Sequence, residues 1–355
     1  MDKYTIATLG GHSALEICLG AKKHDFKTLV IVAKRRDKTY TKYFKNLFDD
    51  YISVNKFSEL TDQKVIEILQ KKQSIFIPHR YLQVYCDLDK FEKSFPIPTF
   101  GNKYLLKYEE RTGKYNQYLV LNKADVLYPK HFKNPKDVDR LVLVKVNEAV
   151  RGYERAFFFA KSFDEFKKKS KKMIESGKIT KENLQSAVIE EYIIGVQVNF
   201  NFFYSPLRMR LELLGTDARR QTNIDGYIRL PAFIQKQIDE FVSPSYIETG
   251  HFAVTVKESL LETAFEIGEK IIKVSKSILP PGIIGPFAIQ CAISAGPPKE
   301  RIYVYDLSIR MPGSPGTSFT PYSGYLFGKS VSFGERIAME IKDAAKENKI
   351  SKITT

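Results

Sequence analysis

The first hundred residues alternate between strand-like and helix-like segments, and this alternation constrains the fold more than any other feature. Apolar stretches typical of buried strands occupy residues 4–9, 28–32 and 74–78, and amphipathic stretches separate them. Strands that alternate with helices predict a parallel sheet with crossover connections. Because ligands of such sheets bind at the carboxyl ends of the strands, the predicted ligand-binding edge comprises residues 10–13, 34–36 and 79–81.

A proline-containing segment at residues 96–102 ends this pattern, and we place a domain boundary there. The boundary gives an N-terminal domain of residues 1–102 and a second domain of residues 103–355, which suits a chain of this length. In the second domain, residues 188–204 and 210–214 have the composition and alternation of antiparallel strands. The expected class is therefore an α/β domain followed by an α+β domain.

Periodicity and composition predict the remaining elements of the second domain. The further predicted strands are residues 141–146, 156–160, 287–293 and 302–307, and the predicted helices are residues 103–111, 117–127, 163–177, 261–279 and 333–347. Residues 312–324 are rich in glycine, proline and serine and are predicted to form a loop.

The charge balance indicates the partners. Lys and Arg number 56 and Asp and Glu number 41, a surplus of +15 that favours anionic ligands. The basic residues are spread along the chain without a basic and aromatic stacking motif, so nucleic acid is not expected as a partner. No apolar run approaches the length of a membrane span. The scattered cysteines Cys18, Cys86 and Cys291 predict no disulfide framework and no zinc site, and they favour a cytoplasmic location.

The segment Gly10-Gly11-His12-Ser13 follows the first predicted strand and opens a helix. A glycine turn at a helix N-terminus presents backbone N–H groups to an anion. The spacing is not G-x-G-x-x-G, and the second strand ends without the acidic residue that holds a ribose. A dinucleotide is thus not expected, whereas a phosphorylated ligand and an ordinary strand-to-helix turn both stay open.

Five further residues carry candidate chemistry. Lys145 ends a predicted strand and suits nucleotide phosphates, although a solvent-facing lysine is the alternative. Glu190 and Glu191 close an apolar strand and suit contact with a nucleobase, although a surface strand end is equally compatible. Gln290 and Asp306 lie on successive predicted strands, and their oxygen ligands suit Mg²⁺, although an Asp that is hydrogen-bonded at a strand end is the alternative.

Taken together, these segments resemble one family, the archaeal formate-dependent synthetases of the ATP-grasp superfamily. These enzymes make FAICAR (5-formaminoimidazole-4-carboxamide ribonucleotide) from AICAR, its 5-amino precursor, in IMP biosynthesis. The resemblance covers nearly the whole chain. The motifs that carry it are TIATLGGHS at 5–13, IPH at 77–79, YCDLD at 85–89, FGN at 100–102, IEEY at 189–192, FYSP at 203–206, ELLG at 212–215, NIDG at 223–226, PSY at 244–246, PPGIIGPF at 280–287 and GERIA at 334–338.

The resemblance implies an ATP-grasp fold with a Rossmann-like N-terminal domain and ATP between two lobes of the second domain. It implies the reaction of ATP, formate and AICAR through formyl phosphate to FAICAR, ADP and phosphate, with Mg²⁺ or Mn²⁺ as the metal, in a homo-oligomer. The residues carried over are Lys145 and His12 for catalysis, Lys145, Glu190, Glu191, Tyr192, Ile193 and Asn223 for ATP, His12, Tyr81 and His251 for the ribonucleotide, and Gln290 and Asp306 for the metal.

The sequence departs from the family pattern at several of these positions. A glycine-rich, phosphate-covering loop of the family corresponds here to residues 146–155, which contain one glycine and two acids. Arg80 and Tyr81 replace Gly-Ser and are expected to crowd the ribonucleotide pocket. His251 replaces Asn, Asp306 replaces Glu, and residues 312–314 replace Asp-Gly-Gly. The alternative interpretation is therefore a divergent paralogue that uses another acid substrate, or that binds nucleotide without catalysis in a regulatory role.

Overall fold

The structure is a computed structural model that describes residues 4–111, 113–146, 157–221, 223–238 and 248–355. Its strands are β1 (Thr5–Leu9), β2 (Lys27–Ala33), β3 (Asp50–Val54), β4 (Ser74–Phe76), β5 (His131–Phe132), β6 (Val142–Lys145), β7 (Phe157–Ala160), β8 (Val188–Glu191), β9 (Val196–Ser205), β10 (Arg210–Gln221), β11 (Glu248–Ala253), β12 (Gly285–Ser294) and β13 (Arg301–Ser308). Its α-helices are α1 (Ala14–Lys23), α2 (Gln63–Lys71), α3 (Arg80–Tyr85), α4 (Leu88–Ser94), α5 (Gln117–Lys123), α6 (Phe163–Glu175), α7 (Lys181–Gln185), α8 (Ile224–Tyr227), α9 (Ala232–Ile238), α10 (Leu261–Ile278), α11 (Tyr322–Phe327) and α12 (Phe333–Lys346).

The N-terminal sheet is parallel, with strand order β3-β2-β1-β4. Its central strands are apolar and buried because helices cover both of its faces. The predicted parallel sheet is confirmed. The edge strand β3 was not predicted, because only alternate residues such as Ile52 and Val54 are buried in it.

One of the helices that cover this sheet, α12, lies near the C-terminal end of the sequence. Helix α12 packs on α1, and the two backbones meet at Gly20 and Gly334. A Cβ atom on Gly20 would lie 2.0 Å from the carbonyl carbon of Gly334, so the crossing requires glycine on both helices. The buried carboxylate of Glu16 accepts the backbone N–H of Phe333 at the start of α12.

The largest sheet is antiparallel, with strand order β11-β10-β9-β12-β13. One of its faces packs on α5 and α10 through a core that includes Phe200, Phe202 and Phe287. The strands predicted at residues 210–214, 287–293 and 302–307 are confirmed, and β10 continues to Gln221.

A smaller antiparallel sheet has strand order β5-β8-β6-β7 and packs against α6 through Val142, Val144, Phe158 and Phe166. The run at residues 188–204, predicted as antiparallel strand structure around Gly195, divides at that glycine, so β8 belongs to the small sheet and β9 to the large one. Gly195 lies against the backbone of Ile293, where a Cβ atom would be 2.4 Å from the carbonyl oxygen. This close approach lets the chain cross from one sheet to the other.

The loop predicted at residues 312–324 is partly wrong. It contains a 3₁₀-helix, Pro315–Phe319, and the start of α11. Burial of Tyr322, whose hydroxyl accepts the backbone N–H of Val256, fixes α11 in spite of the glycine, proline and serine content. The helix predicted at residues 103–111 is a 3₁₀-helix, Lys103–Glu109. Among the described residues, no helix combines the length and the apolar character needed to cross a lipid bilayer.

Candidate active site

Lys145 and Glu190 form an ion pair on the small sheet. Antiparallel pairing of β6 with β8 sets Leu143 opposite Glu190, so Lys145 lies diagonally across from that glutamate on the same face. The Lys145 ammonium contacts the Glu190 carboxylate, and only 11% of the lysine side chain is exposed. Burial lowers the pKa of Lys145, and the charge of Glu190 opposes that effect. The structure thus disagrees with the solvent-facing alternative for this lysine.

Glu190 and Glu191 have different surroundings although they are adjacent. The Tyr118 hydroxyl donates to Glu190 at 3.2 Å, and only 4% of the Glu190 side chain is exposed. Glu191 points to the rim of the sheet, where Arg140 lies 3.1 Å from it. Alternation along β8 explains the difference, because successive side chains point to opposite faces.

Tyr192 and Ile193 continue the chain at the end of β8. The backbone N–H of Tyr192 bonds to the carbonyl of Leu141, and its ring meets Phe159 edge-on at 5.0 Å between centroids. Both residues are partly exposed. They therefore lie at the rim next to the Lys145–Glu190 pair, and their contact with adenine stays a prediction.

Gln290 and Asp306 face each other directly across the β12–β13 pair. The Asp306 carboxylate accepts a hydrogen bond from Arg111 at 3.3 Å, and the Gln290 carbonyl oxygen accepts one from Arg219. Each predicted ligand oxygen therefore already contacts a cationic group. The described residues contain no group of three or more His, Cys, Asp or Glu side chains that could hold a metal ion.

The two arginines were missed at the sequence level. Arg111 follows a 3₁₀-helix, and Arg219 lies within β10, next to Arg220. Nothing in their local sequence distinguishes them from other basic residues. Only the placement of distant elements brings them to Gln290 and Asp306.

His12 lies just beyond the end of β1 with a positive φ of 46°. Its ring stacks on His79 at 5.8 Å between centroids and lies 6.5 Å from the Tyr81 ring. His12 is exposed to solvent on one side. Protein atoms that surround the rest of the ring limit its hydration and, with the nearby charge of Arg310, hold the pKa of His12 well below its usual range, which keeps the ring neutral at pH 7.

A cavity of about 280 Å³ opens at the carboxyl edge of the parallel sheet. The Tyr81 ring covers Gly11 so closely that a Cβ atom there would lie 1.9 Å from Tyr81 Cε2. Backbone and basic side chains predominate in the lining, which comprises Gly10, Gly11, Arg35, Arg36, Lys38, Thr39, Tyr40 and Tyr81. The cavity therefore offers positive charge to an anionic ligand.

His251 lies in β11, opposite Arg219 in β10. Its Nδ1 contacts Asp217, and its Nε2 lies 2.7 Å from Glu248 Oε1. Burial alone would lower the pKa of His251, but the hydrogen bonds and charges of Asp217 and Glu248 outweigh it and raise that pKa to about 9. The ring is consequently a cation at neutral pH, in contrast to His12.

Two further predicted parts of the nucleotide site are Asn223 and the loop after Lys145. Asn223 precedes α8 with φ 73° and ψ −60°, the strained backbone conformation of a classic γ-turn, and its role toward the nucleotide stays a prediction. Nearly all of the segment expected to replace the glycine-rich loop, residues 147–155, lies outside the described residues.

Comparisons with known proteins then identify the family. A family model described as "Domain of unknown function (DUF1297)" matches residues 165–355, and one described as "Protein of unknown function (DUF1246)" matches residues 6–132. The chain is 38% identical to a 5-formaminoimidazole-4-carboxamide-1-(beta)-D-ribofuranosyl 5'-monophosphate synthetase from Methanocaldococcus jannaschii, over 99% of this chain and 95% of that protein. The chain belongs to the FAICAR synthetase family.

Solved structures agree with the family assignment. The crystal structure of an IMP biosynthesis protein PurP from Thermococcus kodakaraensis superposes with a TM-score of 0.73 and 27% identity, over 99% of this chain and all of that one. A biotin carboxylase domain from Hydrogenobacter thermophilus, solved with MgADP, has a TM-score of 0.62 and 13% identity, over 96% of this chain and 70% of that one. This FAICAR synthetase family member has the ATP-grasp fold, as the family resemblance implies.

Proposed function

We propose that this chain formylates AICAR to FAICAR with ATP and formate, releasing ADP and phosphate. The observation that carries the proposal is a full-length match to a named FAICAR synthetase in a chain that keeps a buried lysine and two facing oxygen ligands. The match extends over both the parallel sheet and the antiparallel sheets, so it is not confined to a shared nucleotide-binding region.

ATP is assigned to the space between the small sheet and the large antiparallel sheet. Lys145 supplies a cation from the small sheet, and Glu190 together with the Tyr118 hydroxyl fixes its position. When Lys145 turns to a phosphate oxygen, the Glu190 carboxylate loses its cation but keeps the hydrogen bond from the Tyr118 hydroxyl. Tyr192 and Ile193 are assigned to the adenine side.

Gln290 and Asp306 would hold the metal. The two residues are paired on adjacent strands and offer carboxylate and amide oxygens, which suit Mg²⁺, and the metal would displace the guanidinium groups of Arg111 and Arg219 from them. Two protein ligands also suit Mg²⁺, which keeps several waters and phosphate oxygens in its coordination shell. When bound, Mg²⁺ supplies charge neutralisation for the transferring phosphoryl group.

AICAR is assigned to the cleft beside His12. Its 5'-phosphate suits the cavity lined by Arg35, Arg36 and Lys38, and its amine would face the neutral His12 ring. The Tyr81 ring lines this pocket, and the packing of that ring on Gly11 narrows the pocket.

The reaction then proceeds in two transfers. An oxygen of formate attacks the γ-phosphorus of ATP, the bond to the β-phosphate oxygen breaks, and ADP leaves. The AICAR amine attacks the formyl carbon of formyl phosphate, the carbon–oxygen bond to phosphate breaks, and inorganic phosphate leaves. His12, which is neutral at pH 7, accepts the proton that the amine loses.

The test is phosphate release by the purified chain with ATP and Mg²⁺, when AICAR and formate are supplied separately and together. We expect release only when both are present, with FAICAR as the product. No release with both would contradict the proposal, and release with AICAR and another carboxylic acid would identify a changed acid substrate. Sedimentation of the same preparation tests the predicted homo-oligomer.

A further inference from the structure

The proposed reaction gives no role to the group of charges around His251, a residue that the family resemblance places near the ribonucleotide. Its inner partner, Asp217, is fully buried. Asn199 donates to one oxygen of this carboxylate at 2.8 Å, and Asn201 donates to the other at 2.5 Å. His251 contacts the same oxygen as Asn199. Three donors from two strands therefore fix Asp217, and Asp217 in turn fixes the ring of His251.

The outer partner, Glu248, is more exposed to solvent than Asp217. Its side chain is 37% exposed, and it lies at the solvent edge of the sheet. One of its oxygens lies 2.7 Å from His251 Nε2, and the other lies 3.1 Å from Arg219 Nε. A carboxylate that places one oxygen on each of two cationic donors has the geometry of a bound oxyanion.

Arg219 supports a ligand at this position. Its Nε atom is buried, and among the described residues it has no hydrogen-bond partner, because the N–H is not aligned with Glu248. A buried donor left without an acceptor costs free energy, so a better-aligned acceptor would bind there favourably. The other end of Arg219 donates to Gln290, which links this position to the predicted metal site.

Further polar groups lie near His251. The Ser314 hydroxyl lies 3.4 Å from His251 Nδ1, and the His12 ring lies close enough to both Arg310 and His251 to interact with them electrostatically. The pKa of His251, raised to about 9, agrees with this arrangement. When Glu248 turns away toward solvent, Arg219 stays cationic, and Asp217 still favours the charged form of His251.

We propose that His251 and Arg219 form a subsite for a small oxyanion, and that the Glu248 carboxylate occupies this subsite in the ligand-free protein. The oxyanion displaces Glu248 and bridges the same two donors. The identity of the oxyanion rests on the proposed function, in which two groups have this chemistry: formate and a phosphate group. The existence of the subsite does not depend on catalysis.

The experiment measures anion binding at His251 without ATP. The full chain is labelled with [¹³Cε1]histidine, and the His251 signal is identified by its loss in His251→Asn. Sodium formate and inorganic phosphate are titrated separately at pH 7 into the wild type, Glu248→Gln and Glu262→Gln. Glu262 is exposed on α10, so its variant controls for the loss of one negative charge. Glu248→Ala serves as a second variant at the site.

We expect one of the two anions to shift the His251 signal, with binding about tenfold tighter in Glu248→Gln and Glu248→Ala than in the wild type or Glu262→Gln. A response to formate identifies a carboxylate subsite, and a response to phosphate identifies a phosphoryl subsite. Equal affinities in Glu248→Gln and Glu262→Gln, or a signal that neither anion moves, would overturn the proposal. The phosphate-release assay reports separately on the proposed function, so the two failures are distinguishable.

Discussion

Two clusters of buried ion pairs in this molecule have similar chemistry and different access to solvent. In the first, Arg336 of α12 binds Glu212 of β10 through two nitrogens and Glu340 through the third, and none of these side chains is exposed. In the second, Lys145, Arg111 and Arg219 pair with the carboxylate and amide oxygens that line the cleft. The first cluster is closed on every side by the core, whereas the second opens toward bulk water.

This difference separates a structural role from a binding role. The Arg336 guanidinium also stacks on Phe203 at 4.3 Å from the ring centroid, and the Ser205 hydroxyl donates to Glu340 at 2.7 Å. No ligand can reach these groups, so they act on stability alone. The cations of the cleft have partners that a phosphate or a metal can replace. The access of solvent and ligands to a buried charge, and not the number of its ion pairs, therefore indicates whether it takes part in chemistry.

The largest expected effect comes from the open cluster. Lys145→Gln removes the cation but keeps a donor for Glu190, so the fold should persist. We expect kcat for phosphate release to fall about 10²- to 10³-fold, because a preorganised donor to the transferring group is lost. Because Glu190 loses its cation, the free energy of unfolding in urea should fall, but by less than in Arg336→Met, since the introduced glutamine can still donate to Glu190 and water reaches the pair. A large loss of stability with retained kcat would show that Lys145 belongs with the structural cluster.

The closed cluster should show the opposite behaviour. Arg336→Met leaves two fully buried carboxylates without their cation, and we expect the free energy of unfolding to fall by about 3–5 kcal/mol. Urea unfolding is the measurement, with Lys346→Met on the exposed side of the same helix as the control. Protein that remains folded should keep its kcat, and a selective loss of activity would contradict the division between the two clusters.

Glu16 sharpens the comparison, because no cation pairs with this buried carboxyl in the described part of the chain. Burial raises its pKa to about 7, although the backbone N–H groups of Phe333 and Gly334 oppose the shift. Its Oε2 atom has no hydrogen-bond partner among the described residues, which suits a protonated oxygen.

A raised pKa in the folded state means that the stability is fully present below the unfolded pKa and is lost as pH rises. Between pH 4 and pH 8, wild-type stability should fall by about 3 kcal/mol relative to Glu16→Gln, which has no proton to lose there. Urea unfolding of both proteins across this range measures the difference. Parallel stability curves would show that Glu16 does not ionise within it.

The smallest expected effect concerns the ribonucleotide side of the cleft. Gly11→Ala places a Cβ atom 1.9 Å from the Tyr81 ring, so the ring must move into the pocket. We expect KM for AICAR to rise about tenfold, which corresponds to about 1.4 kcal/mol, with a smaller change in kcat. The double variant Gly11→Ala/Tyr81→Ser removes the clash and should recover most of the affinity. An unchanged KM for AICAR in Gly11→Ala would show that AICAR does not bind in this pocket.

The sequence predicts those parts of the molecule that short-range pattern determines. The parallel sheet follows from apolar strands between helices, and the facing of Gln290 and Asp306 agrees with their placement on successive strands. Strand β11 was missed because it is mostly exposed and contains Gly250, so it lacks the apolar alternation of its neighbours. Helix α11 was missed because its glycine and serine residues favour a loop, and only the burial of Tyr322 decides otherwise.

The candidate site could be predicted for its single residues but not for their partners. Lys145 and Glu190 each stood out in the sequence, yet their ion pair depends on the register of β6 with β8. Asp217 and His251 are 34 positions apart and meet only because β10 pairs with β11. Arg111 reaches Asp306 across 195 positions. Such contacts arise from tertiary packing, which no local pattern records.

The crossing of α1 with α12 also governs the order in which the protein is completed. The ribosome synthesises β1–β4 long before α12. Until α12 has been made, the apolar residues Ile17 and Ala21 of α1 lack the helix that buries them in the folded protein. Contacts between residues this far apart in sequence slow folding and prolong exposure to aggregation. Expression of residues 1–102 alone would therefore leave this apolar surface of α1 exposed to solvent, whereas a separate peptide that contains α12 could bind and bury it.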